Sequence, residues 1–394
     1  MKFPLGQDVH DSDDILNMIK SLMTEKFTMG EQVDSFEKMF AEYVDVKHAV
    51  MVNSGSSANL IALSVLTNYK CKNKLVSGDE VLVPALCWST SVFPIIQCNL
   101  TPIFVDIDSD TLNINIEDLE KKITSKTKAI MLVHVLGNST DMYKLMDIVN
   151  RHNLILIEDT CESLGSKYNE KYLGTFGDIG TYSFYYSHHL TTMEGGMIVT
   201  NNDDDYELMK CLRAHGWSRN LNNKDEIQKQ FPDLDPRFTF VNLGYNVRPM
   251  EIQASMGINQ LKNLEHKNSN RQLNYHNIKS EIENDRRSNF ISFARENNNT
   301  NAVWFGVVLF LDKNISLAKY LDYLTENGVE NRPIVTGNII RQPVIKDYYP
   351  DLNPSDFPGA EKCHFNGLFI GLSSNVMPDF LIAELVDILL GYKP

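Results

Sequence analysis

Short apolar runs that alternate with amphipathic stretches limit the possible folds of this chain more than any other feature. Runs at residues 49–52, 80–83, 101–105, 129–133, 154–157, 180–184 and 197–199 have the length and composition of strands. Between them, residues 57–68, 87–98, 141–151 and 206–214 repeat their apolar residues at helical spacing. Strands separated by helices imply an open, largely parallel sheet covered on both faces. In such α/β sheets ligands bind beyond the carboxyl ends of the strands. The loops that follow these runs are therefore where chemistry is expected.

The pattern changes after residue 249. Residues 249–267 read as a long helix and 273–283 as another. A strand at 303–311, a helix at 316–327, a short strand at 329–333 and a last helix at 378–391 follow. This reads as a second, smaller α+β unit: residues 1–265 form a large domain that includes the N-terminal segment, and 266–394 a small one. The polar stretches 201–205 and 286–301 read as exposed loops. Met256 reads as core filler.

Composition excludes several functions. The formal charge is −14, a poor basis for binding nucleic acid, which needs a positive field. No run of ~18 apolar residues suggests a membrane helix. The six cysteines contain no CxxC pair, so a disulfide framework or a zinc site is not expected. With no charged-then-apolar signal pattern in residues 1–9, a soluble cytoplasmic protein is expected.

Three motifs carry chemistry. Asn-Ser-Gly-Ser-Ser-Ala at 53–58 follows an apolar run and opens a helix. Gly55 permits a tight turn, and Ser56 and Ser57 set hydroxyls beside free helix N–H groups, the composition of a phosphate site and equally of an ordinary N-cap. Ile-Leu-Ile-Glu-Asp-Thr at 155–160 ends a buried strand in two carboxylates. Asp159 there suits a structural cap, or a partner that keeps a pyridine nitrogen protonated. Ser-Phe-Tyr-Tyr-Ser-His-His at 183–189, with Glu-Gly-Gly at 194–196, links a strand end to a loop and a further strand.

Together these segments resemble the fold type I, pyridoxal-phosphate-dependent nucleotide-sugar aminotransferases and dehydratases. The likeness runs along almost the whole chain. It includes Trp88 after Val-Pro-Ala and Gly-Tyr-Asn-Val-Arg at 244–248. It implies a large domain with a mixed, mostly parallel sheet and a smaller C-terminal α+β domain. In that family Ser-Phe-x-x-x-Lys supplies the lysine that holds the cofactor covalently. Here the lysine position is His188, and no lysine lies between Lys171 and Lys210. An imidazole cannot make that link and keeps only the proton-carrying role.

This departure resembles the nucleotide-sugar 3-dehydratases. Members acting on CDP sugars carry additional cysteines for an iron–sulfur cluster. Between His188 and Glu361 this chain has only Cys211. The resemblance therefore implies a cluster-free lyase of deoxysugar biosynthesis, such as supplies lipopolysaccharide O-antigen. Its cofactor would be pyridoxal 5′-phosphate, cycling through pyridoxamine 5′-phosphate with glutamate as amino donor. The expected reaction is C3 dehydration of a nucleotide-linked 4-keto-6-deoxy hexose, with the GDP-linked 4-keto-6-deoxymannose foremost, to a 4-keto-3,6-dideoxy sugar. The sequence leaves GDP, CDP and dTDP open. Alternatives are an aminotransferase and a non-catalytic binding protein.

Residue by residue, the resemblance makes His188 the acid/base in preference to His189. It makes Gly55, Ser56, Ser57 and Ser183 the phosphate loop and Trp88 the ring-stacking aromatic. Asp159 becomes the pyridinium partner, and Glu162 a neighbour of the ring hydroxyl. Asn246 would reach the phosphate of a second subunit, which implies a homodimer with shared active sites. His215, Arg219, Arg332 and Arg341 are candidate substrate contacts, each equally open to a packing or salt-bridge role.

Overall fold

The computed structural model describes residues 1–6 and 10–393. A seven-stranded sheet forms the centre, with β1 (His48–Val52), β2 (Glu80–Pro84), β3 (Thr101–Val105), β4 (Thr127–Val133) and β5 (Ile155–Asp159). A small ribbon, β6 (Lys167–Tyr168) and β7 (Lys171–Tyr172), precedes β8 (Ile179–Ser183) and β9 (Gly196–Thr200). The order across the large sheet is β1-β9-β8-β5-β4-β2-β3. Its pairs are parallel except those of β9, which runs against both β8 and β1. The expected mixed, mostly parallel sheet is therefore present. Its strands are buried along nearly their whole length, as a sheet covered on both faces requires.

The C-terminal part builds a four-stranded antiparallel sheet from β10 (Ile291–Phe293), β12 (Val307–Leu311), β13 (Asn331–Pro333) and β14 (Gly367–Ile370), in the order β10-β12-β14-β13. The two-residue β11 (Thr300–Asn301) instead joins β6 of the ribbon. Two expected elements are corrected here. The 286–301 stretch is not only loop, since β10 and β11 lie in it. The 201–205 stretch is loop only at its start, because the helix Asp203–Arg213 begins within it, capped by the Asn202 side chain.

The two helices expected on either side of residue 270 are one helix, Glu251–Asn284, of 34 residues. The expected domain boundary at 266 lies inside it. One part of this helix packs on the helices Ser12–Leu22 and Glu31–Val44, and it also packs on the last helix, Asp379–Leu390. Its polar middle suggested a break, but Asn270, Arg271 and Asn274 are buried and donate to carbonyls of residues 305 and 372–375. The N-terminal residues also depart from the large unit. Phe3 bridges Val329, and the Leu5 N–H donates to the Glu330 carboxylate. Among the described residues no helix is long and apolar enough to cross a membrane.

Candidate active site

The carboxyl ends of β1, β5 and β8, with the loop after β2, meet on one side of the sheet. β1 ends at Val52, opposite Gly196, and Ser183 at the end of β8 pairs with the same Gly196. The helix Gly55–Leu66 starts directly above this corner. A Cβ at Gly196 would collide with the Ser54 carbonyl, and one at Gly55 would stand 2.6 Å from Ser183 Cβ and 3.0 Å from Cys161 Sγ. Glycine at these two positions therefore lets the helix N-terminus settle onto the strand ends. Ser54 caps the helix by accepting from the Ser57 N–H at 3.1 Å. The Ser57 hydroxyl donates to Asn53 Oδ1 at 2.6 Å, and Ser56 stays exposed with its hydroxyl 3.3 Å from Thr90 Oγ1. Hydroxyls and the first-turn amides thus gather with Ser183 around one point, as an anion site requires.

Asp159 ends β5 and is 4% exposed. Its Oδ2 accepts from Asn59 Nδ2 at 2.8 Å and from Ser91 Oγ at 2.7 Å, and its Oδ1 from the Cys161 N–H at 3.2 Å. Asn59 is fixed in turn by the Thr181 hydroxyl at 2.6 Å. The sequence reading missed Asn59, Ser91 and Thr181. Asn59 lies one helical turn beyond Gly55, so the i+4 spacing from the loop was an available signal. Its neighbour Glu158 faces elsewhere and is structural: it accepts from His134 Nε2 and from the Gly174, Phe176 and Gly177 N–H groups at 2.6–2.9 Å.

Trp88 precedes the helix Ser89–Gln97, whose Thr90 and Ser91 meet Ser56 and Asp159, and leaves 55% of its surface exposed. Residues 336–339 run against 85–87: Thr336 Oγ1 donates to the Cys87 carbonyl and the Ile339 N–H to the Ala85 carbonyl. Glu162 accepts from the Leu136 N–H at 3.2 Å. Burial first, with Asp159 adding to it, pushes its carboxyl up to about 7 against that hydrogen bond.

His188 is half-buried on the loop after β8, its ring edge-on to Phe305 at 5.1 Å and to Tyr185 at 5.9 Å. Neither ring nitrogen has a hydrogen-bond partner among the described residues, and Nδ1 is sealed from solvent. Burial, and then the Arg271 guanidinium, push the imidazole down to about 3, so it is neutral at neutral pH. His189 is 2% exposed and spends its Nε2 on the Val303 carbonyl at 2.9 Å. Of the adjacent pair, His188 is the one with an accessible, uncommitted ring.

A second cluster gathers around Trp217. The Arg219 and Arg248 guanidinium groups stand 5.1 and 5.3 Å from its indole, and the His215 ring 4.8 Å away. Neither arginine pairs with a carboxylate among the described residues. Asn246 belongs here: it bridges Ala214, is exposed, and accepts from Arg248 Nε at 2.9 Å. Arg332 and Arg341 are engaged differently. Arg332 pairs with Glu330 at 2.7 Å, and Arg341 makes a two-pronged pair with Glu361 at 2.7 and 2.5 Å. The salt-bridge reading describes both.

With this geometry in view, the comparisons with known proteins decide the family. The family model described as DegT/DnrJ/EryC1/StrS aminotransferase matches residues 9–385. The chain belongs to that family. It is 40% identical over 375 residues to the GDP-4-keto-6-deoxy-D-mannose 3-dehydratase of Yersinia pseudotuberculosis, covering 94% of each chain. The solved structure of the Escherichia coli GDP-4-keto-6-deoxy-D-mannose-3-dehydratase with bound hydrated pyridoxal phosphate superposes with a TM-score of 0.91 at 38% identity, covering 98% of this chain and 99% of that one. A GDP-4-keto-6-deoxymannose-3-dehydratase structure with a trapped pyridoxal phosphate–glutamate adduct gives 0.90 at 37% identity, covering 98% and 100%.

The family's cofactor can be tested against the residues present. The site offers a helix N-terminus with hydroxyls at Ser56, Ser57 and Ser183, suited to an anion. It offers a carboxylate fixed at a strand tip, a partly exposed indole and a buried carboxyl. That donor set fits a phosphorylated pyridine ring. It offers no lysine on the loop after β8.

Proposed function

We propose that the protein is a pyridoxal-phosphate-dependent 3-dehydratase of a nucleotide-linked 4-keto-6-deoxy hexose, foremost GDP-4-keto-6-deoxymannose, with glutamate as amino donor. The observation that carries this reading is His188: a neutral imidazole without a hydrogen-bond partner among the described residues, on the loop after Ser183, where family members that transfer amino groups place a lysine. The likeness to 3-dehydratases along nearly the whole chain supports it. The structure with a glutamate adduct supports the amino donor.

Ser56, Ser57 and Ser183 would hold the phosphate, Trp88 would cover one ring face, and Asp159 would pair with the pyridine nitrogen. Asn59 and Ser91 keep Asp159 aimed by occupying its Oδ2. When bound, the amine form of the cofactor supplies a primary amine for the sugar's C4 ketone and an electron sink for the adjacent carbons. His188, with Nδ1 enclosed, takes and returns a proton through Nε2. A neutral ring suits the base role, and the imidazolium it becomes can protonate the departing C3 hydroxyl. Phe305 and Tyr185, edge-on to the ring, restrict its orientation. Glu162, with its carboxyl near 7, can share a proton with a ring hydroxyl. Overall the C3 hydroxyl is replaced by hydrogen with no net change in water: glutamate would supply the amino group and two electrons and leave as 2-oxoglutarate, the C3 hydroxyl would leave as water, and hydrolysis of the released enamine would give ammonia and the 4-keto-3,6-dideoxy sugar.

A homodimer with shared sites belongs to the same reading. Asn246 is exposed near Leu243, which is 92% exposed, and with it stand the two guanidinium groups over Trp217, which no carboxylate answers among the described residues. A second subunit would cover this face and receive Asn246, His215 and Arg219 into its site. The test is turnover with a panel of GDP-, CDP- and dTDP-linked 4-keto-6-deoxy sugars plus glutamate. Ammonia release with a 3-deoxy product is expected. Nitrogen retained on the sugar, with no ammonia, would make the protein an aminotransferase and end this reading.

A further inference from the structure

Arg271 is the one arginine on the long helix whose charge no carboxylate answers among the described residues. It is 2% exposed. Its Nη1 donates to the Leu372 carbonyl and its Nη2 to the Phe305 carbonyl, each at 2.8 Å, while Nε has no partner. Burial lowers it to about 10, so it stays protonated at neutral pH. Burying a guanidinium without a counter-ion costs stability, and two carbonyl bonds offset only part of that cost. Leucine or methionine would fill the space without it, so the charge calls for a use.

The use is visible in what Arg271 holds. Phe305 is gripped from both sides, its carbonyl by Arg271 and its N–H by the Leu136 carbonyl at 2.9 Å. Its ring then stands edge-on to His188 at 5.1 Å and to His189 at 5.6 Å. Two residues earlier, Val303 accepts from His189. Leu136, on the other side of Phe305, is the residue whose N–H meets Glu162. The 303–305 segment thus ties His188, His189 and Glu162 to the long helix, and Arg271 is its clamp.

We infer that Arg271 is a positioning residue for His188: it fixes Phe305 as the wall against which the imidazole stands and sets an unanswered positive charge behind that wall. This rests on the reading of His188 as the proton carrier. The titratable side chains facing His188 are Tyr185 on its own loop, His189 next in the chain, and Arg271 from the long helix. The C-terminal segment presents the uncharged Phe305. No carboxylate bonds to His188 among the described residues, so the positive charge acts unopposed and disfavours the imidazolium.

The test reads His188 directly and needs no turnover. Carbethoxylation by diethyl pyrocarbonate is followed at the His188 peptide by mass over a pH series, with His188→Asn as the assignment control. In the wild type the midpoint should lie well below that of an ordinary histidine. In Arg271→Met, which keeps the length and removes the charge, it should rise by about one pH unit, the size of shift one neighbouring charge produces. In Arg271→Lys it should stay low. A folded Arg271→Met with the wild-type midpoint overturns the inference. If circular dichroism shows Arg271→Met unfolded, Arg271→Lys decides alone: charge kept and fork lost, it should lower kcat at least about tenfold with little change in KM. A wild-type kcat in Arg271→Lys would end the positioning role. Failure of the sugar panel with wild-type enzyme would instead remove the proposed reaction and leave the midpoint result standing.

Discussion

At the scale of single residues, the proposed reading has His188 act as a proton carrier where a lysine would be a covalent anchor. His188→Asn would remove the proposed proton carrier while keeping a polar side chain of similar reach. The phosphate corner and Asp159 do not depend on position 188, so cofactor affinity should hold. Dehydration should fall by at least about 10²-fold, the usual size of a general acid–base contribution. His188→Lys is the complement: a primary amine there can condense with the cofactor's aldehyde, so absorbance near the visible should appear as dehydration is lost. Wild-type turnover in His188→Asn would remove the histidine from the mechanism. These residues could be named from the sequence because each matches a motif of the family that the chain resembles. Asn59, Ser91 and Arg271 could not. Their roles arise from side chains that meet across elements far apart in the chain, such as Ser91 and Asp159 at 2.7 Å.

Among the elements, the helix Gly55–Leu66 has to approach β8 closely for its first turn to serve the proposed phosphate corner. Gly55→Ala puts a Cβ 2.6 Å from Ser183 Cβ, closer than packed carbons tolerate, and Ser183 sits on a buried strand that cannot retreat. The helix start should lift away. Overpacking of this kind costs about 1–3 kcal/mol, and cofactor affinity should weaken about tenfold or more, about 1.4 kcal/mol. Thermal unfolding with and without cofactor, beside a cofactor titration, reads both effects. An unchanged dissociation constant would show that this contact does not shape the phosphate site. Periodicity found the parallel strands because each is a continuous apolar run. It split the long helix because Asn270, Arg271 and Asn274 serve buried carbonyls, and their polarity interrupts the apolar repeat. It missed β10 because three half-exposed residues inside a polar stretch have no period to read, and their pairing with β12 is set by tertiary contact.

For the whole molecule, the residues proposed for the site fall into two groups in the described chain. Ser183, His188, Asp159 and the Gly55 helix share one corner of the sheet. Asn246, Arg219 and Arg248 gather around Trp217 on an exposed face of the same chain. The same face carries Leu243, which is 92% exposed, and the homodimer reading gives it an occupant. If each site takes Asn246 from the other subunit, the two defects can be separated by mixing. An Asn246→Ala homodimer should bind cofactor more weakly, and a His188→Ala homodimer should be inactive. In a heterodimer of the two, the site with wild-type His188 belongs to the Asn246→Ala subunit and receives its Asn246 from the His188→Ala partner, so it is whole. Activity per heterodimer should recover toward half of the wild-type dimer's value at cofactor concentrations that leave the Asn246→Ala homodimer unsaturated. The companion site carries both lesions and contributes nothing. Purification through two different affinity tags, one on each subunit, isolates the heterodimer for the assay. Recovery absent from that species would place Asn246 in its own subunit's site, or in none, and the shared-site dimer would be abandoned while the role of His188 stood.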